Sequence, residues 1–140
     1  MRSGLAAGPE LKPYMPRAAH FLERKGKNEM QISTQEIDGG ITKVDLDGRM
    51  DIAGAAEVDM KMNLIAGSAK KLLIDLEKVS FLGSMGLRSI VFPARAVHSR
   101  GGKVVLFKPN EMVESVLKTS GIDSLLPVRH DLAAAIAALE

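Results

Sequence analysis

Apolar and polar residues alternate at the start of the ordered pattern and later recur at helical spacing, which divides the chain into strands and helices. Met30-Gln-Ile-Ser-Thr-Gln-Glu-Ile37 alternates, Asp38-Gly39-Gly40 supplies turn chemistry, and Ile41-Thr-Lys-Val-Asp-Leu46 alternates again. That arrangement predicts a β-hairpin. After Gly48-Arg49-Met50-Asp51, the Ala- and Met-rich stretch from Ala53 to Ala69 reads as a helix ending near Gly67. Leu72-Leu73-Ile74-Asp75-Leu76 is nearly continuous in apolar residues, as a strand covered on both faces requires. From Ser84 to Ser99, Leu87, Ile90, Val91, Ala94 and Val97 share one helical face. Pro93 inside that stretch predicts a kink or break over 89–93.

Gly101-Gly102 ends this helix and Val104 to Phe107 reads as a fourth strand. Pro109-Asn110 opens a helix with Met112, Val113, Val116 and Leu117 facing inward, and Gly121 closes it. Leu125 to Val128 predicts a short last strand, and Asp131 caps a terminal helix with Leu132, Ile136 and Leu139 on one stripe. The order β-β-α-β-α-β-α-β-α predicts an α/β class with one sheet and packed helices.

Composition narrows the function classes. The 140 residues are 46% hydrophobic and 26% charged, which suits one domain with a short extension. Three of the six prolines fall in the first 16 residues, among Gly, Ala and Arg with no periodicity. Residues 1–28 are therefore read as a disordered basic extension and 29–140 as the domain. Residues 1–29 hold six basic and three acidic side chains, against thirteen and fourteen in the rest, so the pI near 9.0 belongs to the tail. That placement, with no Trp and one Tyr, argues against direct nucleic-acid binding. There is no Cys, and His20, His98 and His130 are scattered, so no zinc centre and no cofactor are expected. The longest apolar run, Leu132 to Leu139, is too short to span a bilayer. A cytoplasmic setting is expected.

The informative segment runs from Lys78 to Arg88, where a strand hands over to the amphipathic helix. Gly83 and Gly86 allow a tight turn there, and Ser84 falls at or near the helix N-cap. Two readings stand: Ser84 is a cap alone, or it marks a terminus that receives a phosphate. A nucleophile elbow fails because Leu82 stands where the motif needs glycine. A phosphate loop ending in Gly102-Lys103 fails because position 97 is Val97. His98 and His130 have no ligand-spaced partners and read as surface or capping residues.

Ile74-Asp75-Leu76, then Val79-x-Phe81-Leu82-x-Ser84-x-Gly86-Leu87-Arg88, together with Gly48-Arg49-Met50-Asp51, resembles a STAS domain of the anti-sigma factor antagonist type. The resemblance covers residues 30–139 and implies a four- or five-stranded mixed sheet, about four helices and no catalysis. It also implies a partner, a kinase-type anti-sigma factor with a serine kinase-like ATPase, bound through Asp51, Gly83, Ser84, Met85, Gly86, Leu87 and Arg88. In the family a phosphorylated serine at this helix start turns binding off. Here Met85 stands at the usual acceptor position and Gly83 at one often held by Asp, which leaves two readings: Ser84 is the phosphorylation candidate, or the domain binds constitutively without phosphorylation. Other readings within the resemblance are a STAS subunit of a transporter or stress-sensing assembly, and a nucleotide-binding STAS domain. A homodimer is left open.

Overall fold

The computed structural model describes residues 30–140; the extension expected over 1–28 lies outside them. Strands β1 (Gln31–Ile37) and β2 (Ile41–Met50) pair antiparallel, with Ile37 opposite Ile41. The turn between them needs left-handed backbone at both Gly39 (φ 90°) and Gly40 (φ 73°), which glycine adopts without steric cost. Helix α1 (Ile52–Ala66), strand β3 (Lys71–Leu82), helix α2 (Ser84–Ser99), strand β4 (Lys103–Phe107) and helix α3 (Glu111–Ser120) then alternate. A 3₁₀ turn (Ile122–Ser124), strand β5 (Val128–Arg129) and helix α4 (Leu132–Ala138) complete the described chain. The sheet order is β1-β2-β3-β4-β5, with every pair except β1–β2 parallel.

Both faces of the sheet are apolar at the centre because both are covered. Val58 and Met62 of α1, Ile90, Ala94 and Val97 of α2, and Val113 and Leu117 of α3 pack with Val44, Leu46, Leu72, Ile74, Leu76, Val104 and Leu106. On the other face, Ala135 of α4 and Leu139 just beyond it cover Ile41, Leu73, Val105 and Phe107. Helix α4 is short, so the second face is only partly covered. Beyond its reach Asp75 interrupts the apolar run of β3, its Oδ2 lying 3.4 Å from the Lys43 Nζ while Oδ1 accepts from the Glu77 amide at 2.9 Å. A carboxylate this buried is tolerated because both oxygens have partners.

Several expectations need correcting. Strand β3 does not stop at Leu76 but runs to Leu82, with Val79 and Leu82 buried and Lys78 and Ser80 exposed. Its continued pairing with β2, through irregularities between Asp45 and Asp47 and between Gly48 and Arg49, supplies the hydrogen bonds that extend it. Of the kink or break expected over 89–93, the break does not occur: α2 is continuous through Pro93. A proline removes one backbone bond at a cost of about 3 kcal/mol; burial of Pro93, Ile90, Ala94 and Val97 on the same helix offsets it. Met112 is exposed, because the inward stripe of α3 is set by Val113 and Leu117, one position further on. Leu132 is exposed for the same reason, the seam of α4 being set by Ala135. Leu125 stands exposed after the 3₁₀ turn, and the last strand begins only at Val128. Helix α1 ends at Ala66 with Gly67 as its C-cap, as the expected end near Gly67 has it. The caps expected at Asn110, Gly121 and Asp131 are in place.

Candidate functional site at the helix starts

Because β2, β3 and β4 run parallel, the starts of α1, α2 and α3 gather along one edge of the sheet, at the strands' C-terminal ends. Open α/β sheets place their ligand sites at this edge. Three of the helices begin with a side-chain cap. The Asp51 Oδ1 accepts from the Gly54 amide at 2.9 Å, the Asn110 Oδ1 from Val113 at 2.8 Å, and the Asp131 Oδ2 from Ala134 at 3.0 Å. Helix α2 differs: its N-cap is Gly83, in extended backbone (φ −95°, ψ −177°), and no side chain caps it. Ser84, expected at or near the N-cap, is the first helical residue, next to the cap. Among the described residues no hydrogen bond engages its hydroxyl, and its side chain faces solvent.

The two glycines of the segment serve close approach, not an unusual turn. Gly83 donates to the Met50 carbonyl at 3.1 Å and lies under the Phe81 ring, where an added Cβ would stand 3.2 Å from it. Gly86 is buried, and a Cβ there would stand 2.7 Å from both the Cβ and the carbonyl oxygen of Met50. Helix α2 therefore closes directly on the end of β2. Ser89 adds a contact to α1, its Oγ donating to the carbonyls of Met85 at 3.1 Å and Ala55 at 3.4 Å. The starts of α1 and α2 thus lie side by side.

The residues expected at the site divide by exposure. Ser84, Met85 and Arg88 are exposed; Asp51, Gly83 and Leu87 are half-buried; Gly86 is inside. Leu87 packs on the core, so its contribution is to hold the turn. Met85 is 38% exposed and its sulfur lies 4.0 Å from an Arg88 guanidinium nitrogen. We expect Met85→Ser to change stability by less than about 1 kcal/mol in a denaturant titration; a loss of several kcal/mol would place this side chain in the core.

Asp51 holds the start of α1. The bond from the Gly54 amide, aided by Arg49, keeps its carboxyl below the usual aspartate range against the opposing effect of desolvation. A depressed folded-state value contributes stability that is full above the unfolded value of about 3.9 and is lost as pH falls through the lower folded value. Wild type should therefore lose stability through this acidic window more steeply than Asp51→Asn, measured by urea unfolding at stepped pH; parallel curves would show that the carboxylate contributes nothing there.

Sequence reading did not single out Phe92, and it gave Arg49 and Phe81 only a place in the motifs and Asn110 only the opening of α3. The Arg49 guanidinium lies 4.5 Å from the centre of the Phe81 ring, and Arg88 lies 5.2 Å from that of Phe92. The Asn110 Nδ2 donates to the Val79 carbonyl at 2.9 Å, tying α3 to the end of β3. Arg49 and Phe81 are far apart in sequence and meet only because β2 and β3 pair. His130 stands at the surface, its Nε2 2.9 Å from a Glu114 carboxylate oxygen. Among the described residues no group of three or more His, Asp or Glu side chains is placed to hold a metal ion, and no helix is long and apolar enough to cross a membrane.

The strand order, the pair of adjoining helix starts and the Ser84 turn agree with a family-level match: a model of the STAS domain fits residues 31–135. This chain belongs to the STAS domain family. The STAS chain is 26% identical over 112 residues to the proposed anti-sigma factor antagonist BtrV of Bordetella bronchiseptica, covering 79% of this chain and 96% of that protein. Its fold is similar to the crystal structure of an anti-sigma factor antagonist from Mycobacterium paratuberculosis, with TM-score 0.70, 23% identity and 79% and 93% of the two chains covered. It is also similar to the Bacillus cell fate determinant SpoIIAA in its phosphorylated form, with TM-score 0.59, 17% identity and 74% and 96% covered. The mixed five-stranded sheet with four α-helices among the described residues is thus the STAS fold.

Proposed function

We propose that this STAS domain protein is an anti-sigma factor antagonist, which binds a kinase-type anti-sigma factor through the start of α2 and is switched by a phosphate on Ser84. The observation that carries this reading is the uncapped terminus of α2, which presents an exposed serine and methionine beside the capped start of α1. A helix start with unsatisfied amides favours negative charge, so a phosphoserine would be held locally without unfolding the domain. The name of the Mycobacterium paratuberculosis protein, an anti-sigma factor antagonist, and that of BtrV, a proposed one, support the role, and SpoIIAA supports the switch as a protein solved phosphorylated. Such a protein acts by binding alone, works in the cytoplasm and needs no cofactor.

The test uses the serine kinase-like ATPases of the native host, purified one by one. Calorimetric titration should find one that binds the full chain with a dissociation constant in the micromolar range or tighter. With ATP, mass spectrometry should place phosphate on Ser84. If none of these ATPases binds, the assignment fails; binding with phosphate on another residue would remove Ser84 from the switch.

A further inference from the structure

Two arginines frame the Ser84 turn, and each is held on an aromatic ring. Arg49 lies over Phe81 with its Nε 3.5 Å from the Asp51 carboxylate, and Arg88 lies over Phe92, which is 53% exposed. Phe81 in turn touches Gly83, and Arg88 touches Met85, so both pairs are continuous with the turn between them. Ile52 follows Asp51 and is 75% exposed, and Met85 is exposed in part. The starts of α1 and α2 thus present two exposed apolar side chains together with two ring-stacked guanidiniums.

Resting on the reading above, we propose that the anti-sigma factor presents carboxylates that pair with Arg49 and Arg88, together with an apolar surface that covers Ile52 and Met85. Charge complementarity selects this partner chemistry. Neither α1 nor α2 has an acidic residue in its first turn, whereas α3 has two, Glu111 and Glu114. The positive ends of two helix dipoles therefore add to the two guanidiniums. The carboxylate of Asp51 already accepts from the Gly54 amide and pairs with Arg49.

Stacking gives the arginines a further advantage. A guanidinium held on a ring keeps its fork of donors free while giving up part of its rotamer freedom before binding, which lowers the entropy lost on association. Arginine and apolar anchors of this kind carry much of the energy of protein interfaces. The same arrangement explains how one phosphate switches the surface. A phosphate on Ser84, one turn before Arg88 on the same helix and next to Gly83, would compete for the arginines it reaches and repel the incoming carboxylates.

Titration of the purified kinase-type anti-sigma factor at low and high salt tests the proposal. Arg49→Glu and Arg88→Glu should each weaken binding at least tenfold, with Tm within a degree or two of wild type, and the affinity of wild type should fall as salt rises. Arg88→Lys keeps the charge but loses the planar stack, and should bind about threefold more weakly. Lys70→Glu, an equal charge change at an exposed position before β3, should bind as wild type does. An equal loss with Lys70→Glu would reduce the effect to net charge and overturn the proposal. Retained affinity in the Arg49→Glu/Arg88→Glu double variant, with Ser84→Asp still impaired, would also overturn it and leave the antagonist role standing. No binding by wild type would overturn both.

Discussion

Ser84→Asp will weaken binding to the anti-sigma factor by more than tenfold while Ser84→Ala binds like wild type, and both will keep the native circular dichroism spectrum and Tm. Three properties of the position lead there. Ser84 is exposed and makes no hydrogen bond among the described residues, so removing its hydroxyl leaves nothing unsatisfied. It opens a helix that lacks a side-chain cap, where a carboxylate gains roughly 0.3–1 kcal/mol from the amides and dipole. The free protein therefore tolerates the charge. The complex does not, because the added carboxylate competes for the arginines it reaches and meets the partner's surface as a desolvated negative charge. Leaving a charge unpaired in an interface costs several kcal/mol, and a tenfold loss needs only about 1.4 kcal/mol. Equal affinity for wild type, Ser84→Ala and Ser84→Asp would place this turn outside the interface.

Gly86→Val will lower stability by about 3 kcal/mol and Tm by roughly 10 °C, the largest loss expected from any residue of the Ser84 turn. Its Cβ would stand 2.7 Å from the Met50 Cβ and from the Met50 carbonyl oxygen, with the Leu82 Cδ1 at 2.9 Å. Two of those atoms belong to the end of a paired strand, so no change of rotamer relieves them. Helix α2 would have to lift from β2, which would also break the Gly83 amide's bond to Met50. Valine recovers little as a helix former, because its branched Cβ is itself unfavourable in a helix. The measurement is thermal unfolding followed by circular dichroism. An unchanged Tm would show that α2 does not close on the end of β2, and the juxtaposition of the two helix starts would lose its basis.

The two outcomes are separable by design. Ser84→Asp changes affinity without stability, and Gly86→Val changes stability first. A variant that loses both because α2 has lifted cannot be mistaken for one that repels its partner, since only the former moves the Tm.

The sequence by itself determined the order of elements, the hairpin turn and the helix caps at Asn110 and Asp131. These are local properties: Gly39 and Gly40 supply left-handed backbone within one turn, and Asn110 and Asp131 reach an amide three residues away, as Asp51 also does in the structure. It also determined that Leu72–Leu76 is covered on both faces, because five nearly continuous apolar positions leave no face for water. Tertiary structure decided the rest. The extension of β3 to Leu82 depends on pairing with β2, and the continuity of α2 through Pro93 depends on what its inner face buries. Ser84 is an exposed first residue, and not a cap, because Gly83 is drawn in by its bond to Met50. The arginines over Phe81 and Phe92 show both regimes: Arg88 reaches Phe92 along one helix, at a spacing of four, while Arg49 reaches Phe81 only across a strand pair formed by distant segments. A period in the sequence marks which face a residue takes, but which two faces then meet is set by the packing of the sheet and its helices.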